Sequence, residues 1–256
     1  MLRDYRSSHS LQIVLSLVVF FLFQTLPACA EVVGSMKIGT TAAINFSSYT
    51  GGSVETWLKT VGYKFEKDAR NQNLLNLSIT DGILTLEAKA RMNGFILNDS
   101  VNLDKVRSIR INWGVKHYPR DVSYGRKVNN EALMLYIFFG TEKVSSGHIL
   151  IPNSPYFIGL FLCQDEQVNF PYKGRYFHSG GRFVCLGKPE PGQMTVSEFD
   201  LDEAFKSYFG KKETPGITGI GFGVDTSKAG DNGIGAAFIK SIEFIEAPTA
   251  RANGAH

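Results

Sequence analysis

The chain has 256 residues, 43% hydrophobic and 12% aromatic, with a formal net charge of +3. That length supports one sizeable core or at most two small ones, and the mixed charge, with no Lys/Arg block, excludes an electrostatic nucleic-acid binder from the expectations. The 26 glycines beside 19 Phe and 10 Tyr point to aromatic strands joined by glycine turns.

Residues 1–30 read as a targeting segment. Arg3 and Arg6 precede an apolar run from Leu11 to Phe23, and Ala28-Cys29-Ala30 offers a small-residue cleavage site. The run is shorter than the roughly 20 apolar residues that cross a bilayer. A signal peptide cleaved before Glu31 is expected, with the protein in the periplasm or secreted. Leu26-Pro27-Ala28-Cys29 also resembles a bacterial lipoprotein signal. In that alternative Cys29 is acylated and the chain is a lipid-anchored envelope protein. An uncleaved leader is the third reading. In each, the membrane is met only through the N-terminus.

Two cysteines follow the leader, Cys163 and Cys185. Outside a reducing cytosol they are disulfide candidates, and such a link would stabilise the fold by about 3 kcal/mol on the chain-entropy argument. Two buried free thiols are the alternative. Two cysteines alone cannot build a structural zinc site.

In chain order, a first strand is expected near Thr41 to Phe46, followed by a turn at Thr50-Gly51-Gly52-Ser53. Leu74 to Ile79 and Ile83 to Ala90 are expected to form a hairpin across Asp81-Gly82. Gly94 to Leu97 is a brief strand. In Val106 to Val115 the residues Ile109, Ile111, Trp113 and Val115 share one face, and Ser108, Arg110 and Asn112 the other. Two very apolar runs come next, Ala132 to Phe139 and Tyr156 to Cys163. They read as central strands, antiparallel and nearly adjacent, with cover required on both faces. Gly181 to Leu186 returns to strand. Ser197 to Phe209 carries a helical stripe, capped by Asp200 and stopped by Gly210. Pro215 to Val224 and Ala236 to Ile245 close the fold, and 248–256 is a disordered tail by composition.

The expectation is therefore an all-β fold over 31–247. It is a jelly-roll-like antiparallel β-sandwich with one short helix near residues 200–209, and a lipocalin-like barrel is the runner-up.

No HExxH, GxSxG, P-loop or CxxC motif is present. The glycines of Gly219-Ile220-Gly221-Phe222-Gly223 are read as easing strand packing or curvature. Polar and aromatic residues concentrate in two loops. Loop 117–130 offers His117, Tyr118, Arg120, Asp121 and Tyr124. Loop 164–181 offers Tyr172, Arg175, Tyr176 and His178. If the two apolar runs form a hairpin, both loops emerge at the same end of the sheet. Tyr rings with Arg, Asp and amide groups suit a sugar, since a flat ring stacks on a pyranose and the polar groups satisfy its hydroxyls. Trp113, at the end of its strand, joins this ligand-binding set. No cofactor is expected, although Asp225, Asp231 and Asn232 are candidate oxygen ligands for Ca2+.

VNNEALMLYIFFG, SSGHILIPNSPYFIGLFLC, PYKGRYFHSGGRFVCLG and GIGFGVDTSKAG resemble the bacterial family numbered 3047 among domains of unknown function, across roughly residues 40 to 246. The resemblance implies an exported β-sandwich related to carbohydrate-binding and galactose-binding-like modules. It supplies no catalytic residues, and it marks only Trp113 and Asp225-Thr226 at strand ends. The resulting expectation is a non-catalytic glycan- or polysaccharide-binding module of the bacterial envelope. A glycan-active hydrolase or lyase and a structural or assembly partner in the periplasm are the alternatives.

Overall fold

The computed structural model describes residues 40–246. The leader, Cys29 and the tail 248–256 lie outside the described residues. The elements are β1 (Thr40–Asn45), α1 (Val54–Thr60), β2 (Lys64–Lys67), β3 (Leu75–Thr80), β4 (Ile83–Ala88), β5 (Asn93–Asn98), β6 (Val106–His117) and β7 (Glu131–Val144). They continue with β8 (Ser154–Phe161), β9 (Pro171–Tyr172), β10 (Gly181–Cys185), β11 (Thr195–Asp200), α2 (Leu201–Phe209), β12 (Ile217–Asp225) and β13 (Gly235–Glu246).

The strands form two separate sheets, so the fold is a jelly-roll-like sandwich and not a closed barrel. One sheet runs β11-β6-β13-β4-β3, with β1 also paired to β13. The other runs β2-β5-β12-β7-β8-β10-β9. Alternation fixes which side of β6 faces inward: Ile109, Ile111, Trp113 and Val115 are all buried. From the other sheet, Leu135, Ile137, Ile158, Leu160, Val184 and Phe222 meet them in the main core. The expected β3–β4 hairpin is present, with Asp81 and Gly82 both at positive φ (52° and 70°) as a tight two-residue turn requires.

The two apolar runs are β7 and β8, and they pair antiparallel, Met134 opposite Phe161. Their lack of alternation has a simple cause. Leu135 and Ile137 point into the main core, while Met134, Tyr136 and Phe138 belong to a second aromatic cluster on the outer face of the seven-stranded sheet.

Two features depart from the sequence reading. A second short helix exists, α1, in which Ser53 caps the start by accepting from the Thr56 amide (3.2 Å) and Val54 and Leu58 are buried one turn apart. Its brevity hides the helical period. Ser197 to Asp200 is strand, not helix: it pairs with β6 up to Asp200, whose side chain then accepts from the Glu203 amide (2.9 Å) and starts α2. Gly210 takes the left-handed conformation that ends it. Phe205 of α2 packs on Phe139 at 4.8 Å between ring centres, and Phe209 on Tyr156 at 5.0 Å, so α2 covers one end of the sandwich core.

β10 runs parallel to β8, Gly181 opposite Phe157 and Cys185 opposite Phe161. The segment between them must therefore travel back along the whole strand length. Cys163 and Cys185 form a disulfide at the far end of this parallel pair, with Cα atoms 5.8 Å apart. Replacing both cysteines with serine is expected to lower unfolding free energy by about 3 kcal/mol in urea titration, the value for a closed loop of this size. A loss under about 1 kcal/mol would show that the strand pairing holds without the link.

Candidate functional site

The outer face of the seven-stranded sheet carries a groove of about 640 Å³. It starts at β12, whose outward positions are Gly219, Gly221 and Gly223. With no side chains there, the neighbouring strands lay theirs across the gap. A Cβ on Gly223 would stand 2.6 Å from the Tyr136 ring, and one on Gly221 would collide with Leu97. Phe95 and Leu97 of β5 form one wall, and Tyr136 and Phe138 of β7 the other. Tyr136 and Phe138 lie nearly parallel, 6.0 Å between centres and 16° between planes. Phe157 meets Tyr136 at 5.6 Å and Phe183 at 5.6 Å, extending the aromatic floor across β8 and β10.

Polar groups gather at the end where β12 finishes and β7 begins. Asp225 stands opposite Glu131 across a bulge in this strand pair. The Asp225 carboxylate accepts from Asn130 Nδ2 (3.0 Å), from the Ser227 amide (3.0 Å) and hydroxyl (2.7 Å), and from Asn93 Nδ2. Glu131 is only 5% exposed and accepts the Tyr124 hydroxyl at 2.7 Å. Burial, and then the charge of Asp225, push the Glu131 carboxyl well above the usual carboxylate range, against the opposing pull of the Tyr124 hydrogen bond. Burial, Glu131 and Asp225 likewise push the Tyr136 phenol upward. Asn129 also lines the groove, and both polar atoms of its amide are buried without a protein partner. Lys67, Lys127 and Lys228 surround this end. At the opposite end Arg175 and Tyr176 face Leu150, Ile151 and Pro152. Ile149 and Leu150, at the tip of that loop, are 97% and 82% exposed.

Of the ten ligand-binding residues expected from the sequence, the groove gathers Tyr124, Arg175 and Tyr176. Three aromatic members are corrected to buried positions. Trp113 is 1% exposed because it points from β6 into the core between the sheets, where its indole N–H donates to Ser197 Oγ of the adjacent β11 at 3.0 Å. Tyr118 is 8% exposed and donates to the Pro189 carbonyl at 2.8 Å, with burial raising its phenol to about 12. Tyr124 is 3% exposed, stacked on Phe161 at 4.6 Å, so it forms floor and not an offered ring. Tyr172 is half-buried against Tyr124, its hydroxyl accepting from the Gln167 amide. His178 is exposed and its carbonyl accepts from Arg182. His117 pairs with Asp231 at 2.9 Å, and Arg120 Nε lies 4.0 Å from the same carboxylate. Arg120 and Asp121 line a separate small pocket with Tyr118 and Glu166.

The two loops do meet at one end, where the Tyr124 amide donates to Glu166 Oε1 at 3.2 Å. The parallel β8–β10 pairing then carries Arg175, Tyr176 and His178 to the other end. The oxygen ligands proposed for calcium are also divided: Asp225 faces the groove, and Asp231 turns to His117. Among the described residues, no group of three or more His, Cys, Asp or Glu side chains is placed to hold a metal ion. Sequence reasoning missed Phe95, Tyr136, Phe138, Phe157 and Phe183. The usable signals were the unalternating apolar character of β7 and the every-second-residue glycines of β12.

No family model matches the chain, and no curated protein matches it. Several solved structures superpose on it weakly. The exoplasmic/lumenal domain of VIP36, in a Ca2+/Man3GlcNAc-bound form, shares 10% identity over 84% of this chain and 92% of that one, with a TM-score of 0.39. The xyloglucanase domain of NopAA from Sinorhizobium fredii, in complex with cellobiose, shares 9% over 78% and 99%, with a TM-score of 0.38. A family 29 carbohydrate-binding module from Piromyces equi shares 12% over 79% and 89%, with a TM-score of 0.32.

The Glu131 proton is bound more tightly in the folded chain than in the unfolded one. Its contribution to stability is therefore complete below the ordinary glutamate range and is lost as pH rises toward the elevated value. Glu131→Gln keeps an acceptor for Tyr124 and removes the titration. The variant is expected to melt higher than the wild type at pH 7–8, by roughly 2–4 °C for each kcal/mol involved, with the gap closing toward pH 4. Parallel melting-versus-pH curves would rule this out.

Proposed function

We propose that the groove binds a glycan chain and that the protein is an exported, non-catalytic glycan-binding module of the bacterial envelope. One observation carries the reading: an open groove with an aromatic floor, flanked by amides and charged groups at one end and by Arg175 at the other. Aromatic faces suit the apolar faces of sugar rings, and amide and carboxylate groups suit their hydroxyls. Asn129 supports it further, as an amide at the groove whose donors and acceptor have no protein partner. From Glu131 to Phe138 the strand advances roughly 23 Å, which favours an extended chain over a single small molecule.

A non-catalytic role is supported by how the two carboxyls are used. Asp225 is engaged by donors from Asn93, Asn130 and Ser227, and Glu131 is sealed beneath Tyr124. The competing reading, glycan cleavage, rests on their placement opposite each other on paired strands.

Full-length protein should retain polysaccharides on an affinity gel or a glycan array. Tyr136→Ala and Phe138→Ala should each weaken retention about tenfold, the ~1.4 kcal/mol of one lost ring contact, with the melting transition still cooperative. Undiminished binding in both variants would place the ligand elsewhere. Release of reducing ends from a bound polysaccharide, abolished by Glu131→Gln, would favour cleavage over binding alone.

A further inference from the structure

We propose that the ligand of this groove is an acidic glycan, a chain bearing carboxylate or sulfate groups. The inference rests on the glycan reading above and adds the charge of the ligand.

Four cationic side chains line the groove, Lys67, Lys127, Arg175 and Lys228, against two carboxyls, Glu131 and Asp225. The excess of two positive charges in one groove compares with a net +3 for the whole chain. Burial and the neighbouring Asp225 favour the neutral form of Glu131, which enlarges the excess. Asp225 is already surrounded by amide and hydroxyl donors, so its charge is answered within the protein.

Among the described residues, the four cations also lack a carboxylate partner, although Lys67 Nζ donates to Asn93 Oδ1 at 3.0 Å. None lies within 4.0 Å of a carboxylate among the described residues, whereas Lys59, Lys64, Arg70, Arg110 and Lys206 all do. Two rest on aromatic rings instead: Lys67 lies 4.8 Å from the Phe95 centre, and the Arg175 guanidinium 5.3 Å from that of Tyr176. Such contacts hold the heads beside the groove without neutralising them. Three lysines stand at the Asp225 end and Arg175 at the other, with the aromatic floor between. That spacing matches charges carried along a chain whose rings lie on the floor. Electrostatic complementarity of this kind selects ligand charge more than it adds raw affinity.

The test measures binding of the full chain to polygalacturonate, dextran sulfate and neutral dextran at 20 and 300 mM NaCl. At least one acidic polymer is expected to bind tenfold or more tighter than neutral dextran, and the two acidic arms separate carboxylate from sulfate recognition. The double variant Lys67→Glu/Lys228→Glu should lose tenfold or more for the acidic polymer with an unchanged melting temperature, and Tyr136→Ala should also weaken it. Equal binding of acidic and neutral polymers would overturn the charge inference and leave the glycan reading standing. Loss of all polysaccharide binding in the wild type would overturn both. Acidic-polymer binding that vanishes at 300 mM NaCl yet ignores Tyr136→Ala would mark simple polyelectrolyte adsorption and sink the proposal. So would binding confined to anionic phospholipid vesicles.

Discussion

The structure turns on the requirement that β7 be covered on both of its faces. An outer strand face made of Met134, Tyr136 and Phe138 cannot be left to water without loss, and an inner one made of Leu135 and Ile137 must join the main core. The inner demand is met by the opposing sheet. The outer one is met only in part, by the aromatic rings of adjacent strands and by the loops around Tyr124 and Phe177. What they leave uncovered is the groove. The groove thus arises where the sandwich buries its second apolar layer incompletely.

Glycine makes this arrangement possible. The Tyr136 and Phe95 rings can recline because β12 presents Gly223 beneath them, and Leu97 lies likewise over Gly221. The same logic recurs beside β8 and β10, where a Cβ on Gly159 would lie 2.7 Å from the Met134 sulfur and 3.2 Å from Phe183. Large and absent side chains alternate across the outer face, giving a smooth aromatic surface in place of a bristling one. The bulge between β7 and β12 then changes the parity, so that Glu131 joins a face otherwise occupied by even-numbered residues.

Most of the architecture was readable before any coordinates. The strict alternation in β6, the Asp81-Gly82 turn, and the Asp200 and Gly210 ends of α2 each rest on local physics, and each emerged in place. The site was less readable. Tyr118 and Tyr124 sit in a loop by composition, yet tertiary packing gives each a buried hydroxyl partner, Pro189 and Glu131, that are 71 and 7 residues away. Grouping by loop also failed for Arg175 and His178, since the direction of β10 is not written in its own apolar pattern. Strand character follows from periodicity. Parallel or antiparallel pairing depends on where the chain returns.

Strand β1 joins the six-stranded layer, hydrogen-bonded to β13, while the groove opens on the outward side of the other layer. Thr40, where the described chain begins, therefore belongs to the layer behind the groove. A load applied at Thr40 is borne first by the rear sheet, through β13, and not by the strands that floor the aromatic trough.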